Sequence, residues 1–230
     1  MKRLLALDTS SDACSVALML GDEIVEDFRI EPRRHTHLLL PMVEQMLANA
    51  GLTLSTLDGI AFGRGPGSFA GIRIATGAAQ GLALAADLPL IPISTLSALA
   101  YGELKISPES QVLAILDARM DEVYWSVCKS SEGGGVTCIQ DERVSAPGAV
   151  SLSSNSQPVI ATGTGLVYVD QFPEQTRNLL QSKNEKCYPR AANMLPLAAI
   201  KLRQGLTATP EEAQPVYLRD HVAWKKKDHQ

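Results

Sequence analysis

The fold is limited above all by a pattern that occurs twice, once at the start and once near the middle of the 230-residue chain. Each copy is a short apolar run that ends in an aspartate, followed by a polar turn and a β-prone run. The run that ends at Asp8 corresponds, at constant spacing, to the run that ends at Asp117. Apolar runs of this length are typical of buried strands. The repeat therefore predicts an internal duplication, with one lobe built on each copy.

Between the two copies, periodicity and turn residues predict the order strand, strand, strand, helix, strand, helix, strand, helix. The second copy begins a similar series of strands, and later segments predict helices after residue 163 and over residues 191–204. Two β-β-β-α lobes are the layout of the actin, Hsp70 and sugar-kinase architecture, a ribonuclease-H-like α/β fold. We therefore predict an N-terminal lobe over residues 1–104 and a C-terminal lobe over residues 105–230.

A glycine-rich run, residues 63–71 (GRGPGSFAG), follows a predicted strand and precedes a predicted helix. This placement resembles a phosphate cradle, because the amides at a helix N-terminus attract anions. A Walker A loop needs a lysine where this chain has Gly67, and a dinucleotide fingerprint needs a glycine where it has Ser68. We therefore interpret the run as a sharp turn whose glycines serve close packing. Ser68 caps the helix by accepting a hydrogen bond from the amide of Ala70 or Gly71.

The helix over residues 68–86 is apolar all round and contains glycines, each of which lowers helix stability by about 1 kcal/mol relative to alanine. Small residues at positions 71, 75, 79 and 83 would let another helix approach closely. The helix over residues 36–50, capped by Thr36, carries an apolar stripe. The sequence leaves open whether these surfaces pack within the chain or on a partner. The candidate partner-interface residues are Leu39, Met42, Val43 and Met46 in the first helix and Phe69, Gly71, Ile72, Ala75 and Ala79 in the second.

The loop after the first strand, Asp8-Thr9-Ser10, stands where actin-like proteins hold nucleotide phosphate and metal. Such loops usually read Asp-x-Gly, because a residue without a side chain lets the backbone approach a phosphate. This chain has Ser10 in the glycine position, and the loop at Asp117 also lacks a glycine. We therefore interpret Asp8, Thr9 and Ser10 as a vestigial nucleotide loop, in which Asp8 caps a turn.

Composition and charge argue against several classes of protein. The formal net charge of −4 is unlike the basic footprint of a free-standing nucleic-acid binder. Lys225, Lys226 and Lys227 form a local basic run, which we interpret as a solvated tail that would at most help a complex to hold RNA. The four cysteines have neither CxxC nor zinc-finger spacing, which indicates free thiols. With no signal-peptide pattern and no clear membrane span, we expect a cytoplasmic protein.

Two polar clusters are weaker candidates for a site. His35 and His37 form an HxH pair, but metal sites often need a third ligand and neither HxxxH nor HExxH occurs, so we predict no bound metal. The charged turn at residues 117–122 would position a substrate or form a salt-bridged loop, and the second is the commoner outcome.

Six groups of segments, in order along nearly the whole chain, resemble one family. They are residues 5–9 (LALDT), 35–36 (HT) with 40–43 (LPMV), 63–69 (GRGPGSF), 71–73 (GIR), 117–120 (DARM), and 215–219 (PVYLR) with 222–226 (VAWKK). Together they resemble the TsaB (YeaZ) family, the accessory subunits of the bacterial machinery that makes tRNA threonylcarbamoyladenosine (t6A).

The resemblance implies an actin-like scaffold or activator without catalysis of its own. Its relative TsaD holds the metal and transfers the threonylcarbamoyl group to adenosine 37 of tRNAs reading ANN codons. The helices over residues 36–50 and 68–86 would bind TsaD, or a second copy of the chain in isolation. The ATPase TsaE would join at that junction. The chain would have no cofactor of its own, ATP or ADP with magnesium would lie at the complex interface, and tRNA would be bound only through the complex.

Two alternatives compete with this reading. The first is a weak ATP-binding protein or ATPase of the actin-like class, against which the glycine-free loops at Asp8 and Asp117 argue. The second is a peptidase. For that class the sequence offers no zinc-peptidase motif, and Ser68 has no base implied nearby.

Overall fold

The computed structural model describes residues 2–152 and 157–219. The first half contains its elements in the predicted order. They are β1 (Arg3–Asp8), β2 (Ala13–Leu20), β3 (Glu23–Ile30), α1 (His35–Asn49), a 3-10 helix (Leu54–Thr56), β4 (Gly59–Gly65), α2 (Phe69–Ala86), β5 (Leu90–Ser94) and α3 (Thr95–Leu104).

The second half repeats the three strands and then departs from the prediction. Its elements are β6 (Gln111–Arg119), β7 (Glu122–Ser131), β8 (Gly135–Ser145), a 3-10 helix (Pro147–Ala149), β9 (Val159–Thr162), a 3-10 helix (Thr164–Gln171), α4 (Glu174–Asn178), β10 (Leu180–Asn184) and α5 (Ala191–Arg203). The helix expected after residue 163 is thus a 3-10 helix. Strand β10 was not predicted, because it is mostly polar and exposed and has no apolar alternation.

The two sheets have the same topology. The first has the strand order β3-β2-β1-β4-β5 and the second has the order β8-β7-β6-β9-β10. Strand β1 is antiparallel to β2 and parallel to β4, and in the same way β6 is antiparallel to β7 and parallel to β9. This repetition confirms the predicted duplication and the actin-like α/β fold.

The start of α1 differs from the prediction. Thr36 does not cap the helix, because the amide of Leu38 already donates to the carbonyl oxygen of Arg34 and the helix begins at His35. The predicted cap of α3 is confirmed, since the Ser97 amide donates to Ser94 Oγ over 3.1 Å.

The helices are distributed between the sheets in a way that crosses the predicted lobe boundary. Helices α1 and α2 cover one face of the first sheet, and α5, from the end of the described chain, covers its other face. Helix α3 packs on β6, β7 and β8 of the second sheet. Helix α3 of the predicted N-terminal lobe therefore packs on the second sheet, and α5 of the predicted C-terminal lobe packs on the first. The lobe boundary after residue 104 stays a prediction.

Candidate functional site

The glycine-rich run packs directly on the loop that follows β1. At three of its glycines, spaced four residues apart, an added Cβ atom would lie closer than 3.0 Å to an atom of that loop, a separation that real Cβ atoms essentially never show. The run is therefore built for close packing, as the sequence indicated, although the element packed against it is a loop. The pairs in contact are Gly63 with Asp8, Gly67 with Ser10 and Gly71 with Thr9.

Hydrogen bonds join the loop to the start of α2. The Ser68 amide donates to the carbonyl oxygen of Ser10 over 2.7 Å, and Thr9 Oγ1 donates to the carbonyl oxygen of Gly71 over 2.6 Å. The Gly71 amide in turn donates to Ser68 Oγ over 3.3 Å, which confirms Ser68 as the cap of α2. The Ser68 amide is thus engaged with the chain's own loop and the Gly71 amide with the helix cap.

Asp8 lies beneath this contact and is fully buried. Its Oδ1 atom accepts hydrogen bonds from the amide and the hydroxyl of Ser10, over 3.1 and 2.9 Å. Its Oδ2 atom faces Gly63 and has no hydrogen-bond partner among the described residues. Burial raises the pKa of Asp8 to about 7, against which the two bonds from Ser10 act.

These residues do not fit a magnesium nucleotide. A carboxylate that holds magnesium needs an open path to the ion, and Asp8 has no exposed surface. Gly67 packs against the Ser10 backbone, which leaves no gap for a phosphate between them. Thr9 and Ser10 are buried as well, with their hydroxyls bonded inside the chain.

The equivalent loop of the second lobe is open. Asp117 accepts hydrogen bonds from the Arg119 amide over 2.8 Å and from its Nη1 atom over 2.9 Å. The same arginine reaches across the gap between the lobes to Asp12, at 3.4 Å. Between the loops lies a cleft of about 280 Å³, and Arg219 lines it while pairing with Glu122. The salt-bridged interpretation of this turn agrees with these contacts.

Most of the predicted interface residues on α1 and α2 are buried within the chain, and the partner interface itself stays a prediction. Ala75 and Ala79 have no exposed surface, because this row of α2 packs on the chain's own core. A partner of the chain in this conformation would contact the opposite side of each helix. The predicted residues that are buried are Leu39, Met42, Val43, Gly71, Ile72, Ala75 and Ala79; Met46 is half-buried and Phe69 is exposed.

The opposite side of α2 is exposed, small and apolar. At Gly77 and Gly81 an added Cβ would meet nothing within 4 Å, so packing within the chain does not require either glycine. Leu84, one turn further along, is 69% exposed. Beside this face, a groove of about 490 Å³ runs between the helices, lined by Leu40 of α1 and Leu82 of α2.

An aromatic cluster continues this face at the start of α2. The Arg73 guanidinium lies 3.7 Å from the ring centroid of Phe69 and donates from Nε to the Tyr217 hydroxyl over 2.7 Å. Phe69 and Tyr217 remain 57% and 43% exposed. Sequence reasoning found Phe69 but missed the other two, since Tyr217 comes from a segment far along the chain.

Comparisons with known proteins identify relatives along the whole chain. Residues 29–227 match the family model described as "TsaD: tRNA N6-adenosine threonylcarbamoyltransferase". The chain is 41% identical over 226 residues to the tRNA threonylcarbamoyladenosine biosynthesis protein TsaB of Escherichia coli (strain K12), covering 97% of each chain. The protein of that name from Haemophilus influenzae is 42% identical over 230 residues, covering 97% of this chain and 96% of the relative.

The chain belongs to the TsaB family.

Solved structures of this family agree with the fold. YeaZ from Pseudomonas aeruginosa superposes with a TM-score of 0.87 at 39% identity, covering 95% of this chain and all of that one. A second structure, described as an uncharacterized protein with similarity to peptidase YeaZ from the same organism, superposes with a TM-score of 0.88, also at 39% identity and with the same coverage.

The remaining candidates add little to the site of this TsaB-family chain. His35 is buried and His37 is exposed, and no group of three or more His, Cys, Asp or Glu among the described residues could hold a metal ion. Within residues 2–152 and 157–219, only α2 is long and apolar enough to pass as a membrane span, a test that core helices also pass. Lys225, Lys226 and Lys227 lie outside the described residues.

Proposed function

We propose that this chain is a non-catalytic scaffold or activator subunit in t6A biosynthesis, and that it binds TsaD for threonylcarbamoyl transfer to adenosine 37 of tRNAs reading ANN codons. The names of its relatives, which share most of its length, support the pathway. The match to the TsaD family model supports a partner built on the same fold.

The closed loop at Asp8 supports a role without catalysis. In the first lobe, the place where an actin-like enzyme would hold magnesium and phosphate is filled by the glycine-rich run. Catalysis then falls to a partner whose corresponding loop is open. A nucleotide with magnesium at the interface of the two proteins would be held mainly by that partner.

The exposed face of α2 carries the proposal for binding. Gly77 and Gly81 each cost the helix about 1 kcal/mol relative to alanine, and the monomer gains no packing from them. Small residues in such a row let a second helix approach closely, and the neighbouring Leu84 supplies apolar area. Phe69, Arg73 and Tyr217 at the end of the face are residue types enriched at protein interfaces.

The family resemblance implies further partners for the complex that forms on this face. TsaE joins the assembly at the junction with TsaD, and tRNA is bound through the assembly. In the absence of TsaD, a second copy of the chain covers the face, since exposed apolar patches favour association.

Co-purification with the TsaD of the same organism tests the proposal. Gly81→Arg and Gly77→Arg place a charge in open space, so the monomer stays folded while association is lost. Gly148→Arg is the matched control, because this exposed glycine lies in the second lobe and its added Cβ meets only an ordinary contact at 3.6 Å. Co-elution of TsaD with Gly81→Arg at the wild-type level would place the interface elsewhere, and no binding by the wild type would overturn the partner.

The alternative, a weak ATP-binding protein or ATPase, rests on the cleft between the lobes. We expect no significant ATP turnover by the purified chain. Robust turnover that Arg119→Ala abolishes, with the fold retained, would favour the alternative over a scaffold.

A further inference from the structure

Two of the four cysteines face each other across neighbouring strands. Cys128 of β7 and Cys138 of β8 are paired in register in an antiparallel ladder. Directly opposite residues in such a ladder have Cα atoms about 4.5–5.5 Å apart, which is within the range that a disulfide spans. Their sulfur atoms are 3.4 Å apart as free thiols. The pair can therefore be joined with little movement of the backbone.

The two sulfur atoms differ in access. Cys128 has no exposed surface and belongs to the core between α3 and the second sheet. Cys138 is half-buried and lines a pocket of about 600 Å³ on the surface of the protein. A small oxidant that enters this pocket meets Cys138 first and reaches Cys128 only behind it.

The surroundings of Cys138 favour its thiolate. Hydrogen bonding by the Cys128 thiol lowers the pKa of Cys138, and bonds from Ser126 and Ser97 act in the same direction. Burial and the carboxylate of Glu142 oppose them. The same contact, together with burial, raises the pKa of Cys128. Reactive cysteines have accessible thiolates, so the attacking sulfur of the pair is Cys138.

We propose that Cys138 is an oxidation site for hydrogen peroxide and that Cys128 resolves it into a reversible disulfide between β7 and β8. In the first step the Cys138 thiolate attacks a peroxide oxygen, so that an S–O bond forms and the O–O bond breaks. Hydroxide leaves and takes up a proton as water, and Cys138 becomes a sulfenic acid. In the second step the Cys128 sulfur attacks that sulfur, the S–S bond forms, the S–O bond breaks and a second water leaves.

The electron balance closes on these groups. The two thiols lose two electrons to one molecule of hydrogen peroxide, which is reduced to two molecules of water. A dithiol reductant reverses the change by disulfide exchange. Disulfides in reducing compartments are usually transient and redox-sensing, which is the behaviour proposed for this pair.

Cys187, which like Cys138 is half-buried, supplies the matched control. Burial raises the pKa of this thiol, and its side-chain hydrogen bond is with Thr162. Exposure alone would make Cys187 and Cys138 react alike. If the contact with Cys128 sets the reactivity, Cys138 is oxidised faster than Cys187.

Mass spectrometry of the full-length chain tests the proposal. The chain is treated with hydrogen peroxide, alkylated under denaturing conditions, and digested with and without a dithiol. We expect a Cys128–Cys138 linked peptide that the dithiol removes, formed at least about ten-fold faster than any change at Cys187. Cys187→Ser should keep the link, Cys138→Ser should abolish it, and Cys128→Ser should stop at a sulfenic acid that dimedone traps.

Two results would overturn the proposal. One is equal rates at Cys187 and Cys138 in the wild type. The other is a further oxidised Cys138 without the link to Cys128. Both are read from the wild-type chain, so they decide the matter even if a serine variant does not fold.

Discussion

The loops after β1 and β6 occupy the same position in the two duplicated lobes and yet differ in burial. The first holds Asp8 with no exposed surface and one carboxylate oxygen without a partner among the described residues. The second holds Asp117 in a salt-bridged turn beside the cleft between the lobes. Duplication has therefore kept an aspartate near the end of the strand without keeping the environment of the carboxylate.

The glycines that face each loop explain the difference. In the first lobe, Gly63, Gly67 and Gly71 bring the β4–α2 junction onto the loop itself. In the second lobe, Gly163 and Gly165 approach Ile115 and Leu116, which precede the turn and leave it uncovered. In a nucleotide-binding relative, glycines of this kind would let the backbone approach a phosphate. Here they cover the loop at Asp8 and leave the loop at Asp117 uncovered.

The largest expected effect concerns the buried carboxylate. The pKa of Asp8 is about 7 in the folded chain against an ordinary 3.8, so the unfolded chain releases its proton first as the pH rises. The contribution of protonated Asp8 to the free energy of unfolding is fully present below about pH 4 and is lost as the pH rises to about 7. At 1.36 kcal/mol per pKa unit, the loss is about 4 kcal/mol. Asp8→Asn cannot ionise. We expect its urea-unfolding free energy to lack this part of the decline.

Ser10→Ala is the companion variant for this measurement. Its hydroxyl bond to Asp8 Oδ1 lowers the pKa of Asp8, so its removal should extend the decline to higher pH. Parallel pH profiles for the wild type and Asp8→Asn would contradict a buried, proton-binding Asp8.

A smaller effect tests the packing of the glycine-rich run on the loop that follows β1. Gly71→Ala places a methyl group against the Thr9 carbonyl oxygen, and backbone overpacking of this kind should lower the free energy of unfolding by about 3 kcal/mol. Gly77→Ala on the same helix meets open space, and should raise it by about 1 kcal/mol through helix propensity. Urea unfolding of both variants measures the difference. Equal changes would show that the loop yields to the added methyl group.

The sequence predicted the fold well where local signals coincide with packing. Strand β1 with its terminal aspartate, the order of the first eight main elements and the caps Ser68 and Ser94 follow from short-range chemistry. The exchange of α3 and α5 between the sheets did not follow, because apolar periodicity identifies a buried face without naming the sheet that covers it.

The candidate site was less predictable for the same reason. The small-residue row of α2 was found, but α2 has two such rows, and residue size cannot tell the buried Ala75 and Ala79 from the exposed Gly77 and Gly81. Likewise, the serine in place of glycine at residue 10 indicated a weak nucleotide loop. The bond from its hydroxyl to Asp8 is local, but the burial of both residues depends on Gly63 and Gly67, which lie far along the chain.

The smallest expected effect lies in the open loop. Asp117→Asn removes the ion pair with Arg119, whose side chain is 70% exposed, while an asparagine oxygen still accepts the Arg119 amide. Exposed ion pairs contribute little and are screened by salt, so the loss of unfolding free energy should be about 0.5 kcal/mol and should shrink further in concentrated salt. Urea unfolding at low and high ionic strength measures both. A loss as large as that of Gly71→Ala would mean that the second loop is packed as firmly as the first, and that burial does not distinguish them.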